Sequence, residues 1–154
     1  MPQDSGGRKI VATNRKARHE YHILDTWEAG LVLAGPEVKS LREGRVSFKD
    51  AYARVEGGEV WLYNLHIAPY EAAGRWNGDP ERPRKLLLQG HEIRKLIGSV
   101  QEKGLTLVPL DLHFSRGYAK ATLGLARGKQ LHDKRDKLRK RTQEREARGA
   151  ARGE

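Results

Sequence analysis

The sequence predicts a mainly β protein: a small antiparallel barrel with peripheral helices and a basic C-terminal tail. Residues 20–127 contain many short β-rich runs separated by turn residues, without the strict strand–helix–strand alternation of a parallel sheet. A closed or partly open barrel pairs the strand edges that an open sheet would leave exposed. Residues 128–154 differ in composition, with ten basic and five acidic residues and few apolar ones. They are therefore expected to form a separate tail.

The distribution of charge predicts the class of partner. The formal net charge is +10, and residues 1–19 carry five basic residues and one acidic residue. The body, residues 20–127, has fifteen basic and fourteen acidic residues and is nearly neutral. A balanced body with two basic ends favours a polyanionic partner, and the phosphate backbone of a nucleic acid is the commonest one.

The first half of the chain predicts a leader, two strands and a short helix. Residues 1–9 are polar and glycine-rich and are expected to form a flexible leader. A charged run at residues 14–21 is expected at the extended start of a strand. Residues 21–33 are rich in β-formers and predict two tightly joined strands, with irregularities at Asp25 and Gly30. Residues 35–44 predict a helix, with Pro36 in its first turn and Gly44 as its stop.

The second half predicts two hairpins, a loop and the clearest helix. Residues 51–65 form a hairpin pattern around Gly57-Gly58, which accept the positive φ of a tight turn. Residues 69–84 hold three prolines and show no periodicity, so a long mobile loop is expected. Residues 91–104 predict a helix, with apolar positions at i, i+3, i+4 and i+7 and a terminal glycine. A second hairpin is predicted around residues 115–117, with Pro109 marking a bulge or an edge.

Several classes of protein are excluded or disfavoured. The chain contains no cysteine, so disulfides and thiolate metal sites are excluded. No run of about 18 apolar residues is present, and the N-terminus lacks a secretory apolar segment. No catalytic motif appears, and the six histidines show no metal-binding spacing. We expect a cytoplasmic protein that is not an enzyme, needs no cofactor or metal and has no membrane partner.

Two segments of the body are candidate RNA contacts. The run at residues 14–21 groups cations with amide, imidazole and phenol side chains, which clamp phosphates and contact bases: Asn14, Arg15, Lys16, Arg18, His19 and Tyr21. A solvated charge run explains the same composition. In residues 118–125 the alternation places Leu123 and Leu125 on one face and Tyr118 and Lys120 on the other. An exposed lysine beside an aromatic ring is typical of an RNA platform, although a lysine that is simply solvated is the commoner case.

The basic tail predicts a conditional helix. Its helix propensity is high, and Asp133/Lys137 and Glu144/Arg148 are i,i+4 pairs. Leu131 and Leu138 are its only leucines, so a helix here has almost no apolar face to bury. We expect the tail to be disordered in the free protein and to become helical when a partner supplies contacts. A nonspecific solubilising tail remains the alternative.

Four segments resemble a known family. NRKARHEY, EAGLVLAGPEVKSLREG, RKLLL and GLARGKQLHDKR stand in the order and spacing found in SsrA-binding proteins, the bacterial partners of transfer-messenger RNA (tmRNA). The resemblance covers about residues 10–140. It implies a six-stranded barrel of the oligonucleotide-binding (OB) kind over residues 10–127, which binds the tRNA-like domain of tmRNA. It also implies a tail that enters the empty mRNA channel of a stalled ribosome and folds there as a helix.

The resemblance also assigns roles to individual residues and partners. Asn14 matches an RNA-contacting asparagine, and Glu28, Leu87 and Lys120 fall on positions tied to tmRNA binding. Leu87 could equally belong to the core, and Glu28 could act by holding basic side chains. Arg127 and Lys129 join the RNA-binding set. The implied ribosomal residues, near the decoding centre and rRNA, are Gly128, His132, Asp133, Lys134, Arg135, Lys137, Arg139, Lys140 and Arg141. Elongation factor Tu is implied as an indirect partner through aminoacylated tmRNA.

One departure and one alternative remain. Many members carry two lysines after the glycine, whereas Lys129 is followed here by the uncharged Gln130. The alternative function is a ribosomal or other rRNA-binding protein, which would share the basic ends but not the four matched segments. An RNA-modifying enzyme would need a cofactor site or a nucleophile–base pair, and the sequence contains no motif for either.

Overall fold

Strands and helices alternate irregularly through residues 8–101 and 104–128, the part of the chain that the computed structural model describes. The helices are α1 (Arg15–Glu20), α2 (Gly35–Arg42) and α3 (Gly90–Val100), and a 3-10 segment spans Glu71–Trp76. The strands are β1 (Lys9–Thr13), β2 (Tyr21–Leu31), β3 (Val46–Ser47), β4 (Tyr52–Glu56), β5 (Glu59–Tyr63), β6 (His66–Ile67), β7 (Arg84–Leu87), β8 (Leu105–Ser115) and β9 (Tyr118–Gly128).

Six strands close into a barrel. The hydrogen-bonded order is β8-β4-β5-β7-β2-β9, and β9 pairs back with β8. Every pairing is antiparallel. Strand β1 pairs with the second half of β8 outside this ring, and β3 and β6 form a separate small pair. The mainly β, OB-like architecture predicted from the sequence is therefore confirmed.

Strand alternation fills the barrel as predicted. Ala121, Leu123 and Leu125 of β9 are buried in the main core. A second, smaller cluster joins Ala17 of α1 to strand residues that face away from that core: Val108, Leu110 and Ala126. Removing such apolar side chains from water contributes roughly 25 cal/mol per Å². Because the strand residues that contact Ala17 face away from the main core, helix α1 packs on the outer surface of the barrel.

The two hairpin predictions are confirmed by the backbone. Gly57 and Gly58 join β4 to β5 with φ of 58° and 77°. Arg116 and Gly117 join β8 to β9 with φ of 53° and 83°. Two successive positive φ angles match the right-handed twist of paired strands. The helices predicted at residues 35–44 and 91–104 are present as α2 and α3, and the register of β8 shifts between Pro109 and Asp111, where a bulge was expected.

Two predictions for the first half are wrong. Residues 21–33 form one strand, β2, over Tyr21–Leu31, rather than two joined strands. Pairing with β9 runs from Tyr21 to Gly30, and the irregularity at Asp25 is a bulge within this pairing. The charged run at residues 14–21 contains helix α1 rather than an extended start, because Asn14 caps the helix and Ala17 is buried beneath it.

The segment 69–84 is more regular than its composition predicted. It holds the 3-10 segment, and the Asn77 side chain bonds both the backbone N–H and the carbonyl of Tyr70, each at 2.9 Å. Arg84 already belongs to β7 and is fully buried. Its guanidinium donates to the Glu37 carboxylate of α2 at 2.7 Å and to the Leu65 and Pro80 carbonyls. Arg82 also donates to Glu37, so the end of this segment is tied to α2.

Gly124 gives a stability prediction. A Cβ there would lie 2.9 Å from Leu110 Cδ1 and 3.1 Å from its Cγ, and Leu110 is fully buried. We expect Gly124→Val to destabilise the protein by about 1–3 kcal/mol through overpacking, measured by urea unfolding. The control is Gly98→Ala in α3, where nothing lies within 4 Å, and which should stabilise by about 0.5–1 kcal/mol. Wild-type stability in Gly124→Val would contradict the close packing.

Candidate nucleic-acid interface

Helix α1 displays the predicted cations outward. Asn14 is buried, and its side chain accepts from the Ala17 N–H at 3.1 Å and donates to the Pro109 carbonyl at 2.8 Å. This anchors the helix to the bulge in β8. The exposed residues of α1 include four of the predicted RNA contacts: Arg15, Lys16, Arg18 and His19. Tyr21 follows the helix and packs partly against the buried cluster of Ala17, Val108, Leu110 and Ala126. Asn14 thus has a structural role, and its RNA contact stays a prediction.

Three residues that are distant in sequence meet on one outer face. Gly30 of β2 pairs with Leu87 of β7 on one side and with Lys120 of β9 on the other. Glu28 lies two residues before Gly30, on the same face, and its Oε1 is 3.7 Å from Lys120 Nζ. Leu87 is 52% exposed, so its alternative assignment to the core is wrong. Gly30 has no side chain, and the Leu87 side chain lies over it: a Cβ at Gly30 would be 3.3 Å from Leu87 Cβ and 3.5 Å from its Cδ1. We call Glu28, Leu87 and Lys120 the outer-face cluster.

A buried histidine adjoins the outer-face cluster, and the sequence analysis did not identify it as a site residue. His113 of β8 pairs with Lys120 in the sheet register, and its side chain is fully buried. Its Nε2 lies 2.7 Å from Glu28 Oε2 and its Nδ1 lies 2.7 Å from Asp111 Oδ1. Thr122 donates to the same Asp111 oxygen at 3.0 Å. Arg8 approaches Asp111 at 3.4 Å and Thr122 at 3.2 Å. The network spans β2, β8 and β9 and the segment before β1.

The charge state of Glu28 follows from these contacts. Its pKa is lowered from the ordinary value, first by the hydrogen bond with His113. Burial opposes the shift, and the charges of His113, Lys120 and Arg8 reinforce it. Glu28 is therefore ionised at neutral pH and faces Lys120 as an anion. The outer-face cluster thus presents one partly exposed ammonium group beside an exposed apolar side chain.

The remaining predicted contacts lie at the two ends of β9. Tyr118 is 73% exposed beside the hairpin turn. At the other end, Arg127 is exposed and pairs with His22 in register, and Gly128 pairs with Tyr21 directly after α1. The strand therefore continues one residue beyond the predicted boundary at residue 127. The tail begins beside the cations of α1.

The tail residues lie outside the described part of the chain, as does most of the leader. The predicted contacts concerned are Lys129, His132, Asp133, Lys134, Arg135, Lys137, Arg139, Lys140 and Arg141. Within residues 8–101 and 104–128, no group of three or more His, Asp and Glu side chains is placed to hold a metal ion. The helices of that same part are too short or too polar to cross a membrane.

Comparison with known proteins identifies the family. The SmpB protein family model matches residues 11–153. The SsrA-binding protein of Carboxydothermus hydrogenoformans is 57% identical over 144 residues, which cover 94% of this chain and 97% of that relative. That of Geobacillus thermodenitrificans is 54% identical over 95% of this chain and 93% of the relative.

A solved structure agrees with these sequence matches. It is described as "tmRNA-SmpB: a journey to the center of the bacterial ribosome", and its matching chain is 60% identical, with a TM-score of 0.67. The match covers 78% of this chain and 85% of that one. Sequence and fold agree, and the chain belongs to the SmpB family.

Proposed function

We propose that this protein is a non-catalytic RNA-binding adaptor of trans-translation in the cytoplasm. It binds the tRNA-like domain of tmRNA and delivers it to stalled ribosomes, where the nascent peptide is tagged. The family membership supports this function, since the relatives are SsrA-binding proteins and the similar solved structure concerns tmRNA on the ribosome. Elongation factor Tu is a partner only indirectly, through the aminoacylated tmRNA.

The observation that carries the proposal is the outer-face cluster. Glu28, Leu87 and Lys120 come from β2, β7 and β9, and the barrel brings them together on its outer face. An apolar side chain beside a lysine suits the mixed sugar, base and phosphate surface of a folded RNA. The exposed cations of α1 supply additional phosphate contacts. The tRNA-like domain is the folded RNA that the family membership suggests.

The tail is assigned to the ribosome. Its many cations and few leucines suit a channel lined by rRNA phosphates, which supplies the contacts that the tail cannot make within its own chain. Ordering on binding would then form the helix. Gly128 would be the joint between the barrel and the tail.

Gel shifts against three RNAs test the assignment. Purified tmRNA, total tRNA and 16S rRNA fragments are titrated separately at a fixed salt concentration, because phosphate contacts make affinity depend on salt. We expect the tightest binding to tmRNA. Preferential binding to the 16S fragments would instead support the alternative, a ribosomal or other rRNA-binding protein.

Lys120→Ala tests the cluster directly. We expect weaker tmRNA binding with little change in stability, because Lys120 faces away from the buried Leu123 and Leu125. Losing one phosphate contact should also reduce the salt slope by roughly one unit. The matched control is Lys95→Ala, which removes a similar ion pair, 3.6 Å from Asp25. A sharp fall in melting temperature with an unchanged salt slope would make Lys120 a structural residue.

A further inference from the structure

We propose that His113 is a positioning residue that orients Lys120 for RNA phosphate by holding Glu28. The inference rests on the proposed function and extends it to a buried side chain that does not reach the RNA. The imidazole joins Asp111 to Glu28 with two contacts of 2.7 Å, and the second oxygen of Glu28 faces Lys120. These contacts form a chain from Asp111 through His113 and Glu28 to Lys120.

Burial makes His113 the fixed member of this chain. Its side chain is 0% exposed and that of Asp111 is 9% exposed, whereas Glu28 and Lys120 are 46% and 31% exposed. Asp111 is held further by Thr122 and Arg8. An exposed glutamate alone would sample several rotamers and would restrain a lysine poorly. With Oε2 bonded to a buried ring, the carboxylate has one preferred position, and its other oxygen restrains the ammonium group.

A restrained lysine loses less conformational entropy when it binds phosphate. The titratable groups that face His113 are Asp111 on its own strand, Glu28 on β2, Lys120 on β9 and Arg8 before β1. Removing the imidazole leaves these charges in place but frees Glu28. We therefore expect His113→Phe, which keeps a buried ring of similar shape, to weaken tmRNA binding by about two- to tenfold, the scale of ordering one long side chain.

A double-mutant cycle separates positioning from general structural damage. In the Lys120→Ala background, His113→Phe should cause no further loss, because its effect passes through Lys120. With Arg15→Ala in α1, the losses of affinity from the two substitutions should add, because Arg15 makes none of the contacts that link Asp111 to Lys120. His66→Phe is the matched control. The His66 Nδ1 contacts a glutamate, Glu81, at 3.3 Å, as the His113 ring contacts Glu28, but this pair is not part of the outer-face cluster. Additive losses with Lys120→Ala, in a folded protein, would overturn the inference.

Two measurements keep the inference testable if a variant is unstable or the RNA is misassigned. His113→Gln replaces the imidazole N–H with an amide N–H donor and should recover most of the affinity that His113→Phe loses. A loss equal to that of His113→Phe would count against positioning. In the free protein, NMR titration of the Glu28 carboxyl carbon should show its pKa rising toward the ordinary value in His113→Phe. An unchanged Glu28 pKa would overturn the His113–Glu28 link.

If wild type preferred another RNA to tmRNA, the proposed function would fail, and the same double-mutant cycle with that RNA would still decide the inference.

Discussion

Truncation after Arg127 is expected to abolish peptide tagging on stalled ribosomes while leaving most tmRNA affinity intact. The outer-face cluster and α1 lie before the cut, and Lys129 and the other tail cations after it. The truncated protein should therefore form the RNA complex but lack the segment assigned to the mRNA channel. Gel shift and a reconstituted tagging assay measure the two effects separately.

A scrambled tail is the control for charge alone. A chain in which residues 129–154 are shuffled keeps the net charge and composition of the tail but alters its helical pattern. It should bind tmRNA like wild type and tag poorly. Full tagging by the truncated chain would refute the tail's role. If truncation weakened tmRNA binding as much as an N-terminal deletion does, the assignment of tmRNA binding to the body rather than the tail would be wrong. NMR of the free full-length protein should show residues 129–154 mostly disordered.

Among the substitutions considered, Glu37→Ala is expected to cause the largest loss of folding stability. Glu37 pairs with Arg84, whose side chain is fully buried, and with Arg82. Removing the carboxylate leaves a buried guanidinium without its counter-charge, which typically costs 3–5 kcal/mol. Urea unfolding measures the loss. The control is Glu59→Ala, which breaks a half-exposed pair with Lys85 on β7 and should cost about 1 kcal/mol or less. Equal effects of the two variants would contradict a special role for the buried pair.

The same carboxylate predicts acid sensitivity. Burial raises the pKa of Glu37, but hydrogen bonds from Arg82 and the Ala34 N–H, with the charge of Arg84, outweigh it and lower the pKa below the ordinary 4.5. A lowered folded-state pKa stabilises the protein above about pH 4.5, and this contribution disappears as pH falls through the folded value. Melting temperatures between pH 3 and 7 should therefore fall less steeply toward acid for Glu37→Ala than for wild type.

Local signals predicted the hairpins and two of the helices. A Gly-Gly pair accepts the backbone angles of a two-residue turn, and Pro36 with Gly44 brackets α2. Helix α1 escaped prediction because it has six residues, one of them buried, and its main support is Val108, Leu110 and Ala126 from distant strands. A short charged segment carries too little periodicity to show this contact.

The candidate site was predictable only in part. Strand alternation pointed to Lys120, whereas Glu28 and Leu87 were identified only from family resemblance. The proximity of the three residues depends on strand pairings that no local pattern specifies. His113 was missed for the same reason, since its partner Glu28 lies 85 residues earlier. Its alternation with Leu112 and Phe114 places it on the outer face of β8, but the sequence does not show that this position is buried.

Strand β9 fixes the distance between Lys120 and the start of the tail. Lys120 stands near its beginning and Gly128 at its end, with eight residue steps of about 3.3 Å between them, so Lys120 and the origin of the tail are roughly 26 Å apart. Paired on both sides by β2 and β8, the strand cannot stretch or fold back. In the proposed function the barrel would therefore act as a rigid spacer that holds the RNA bound at Lys120 and the start of the tail at a set separation.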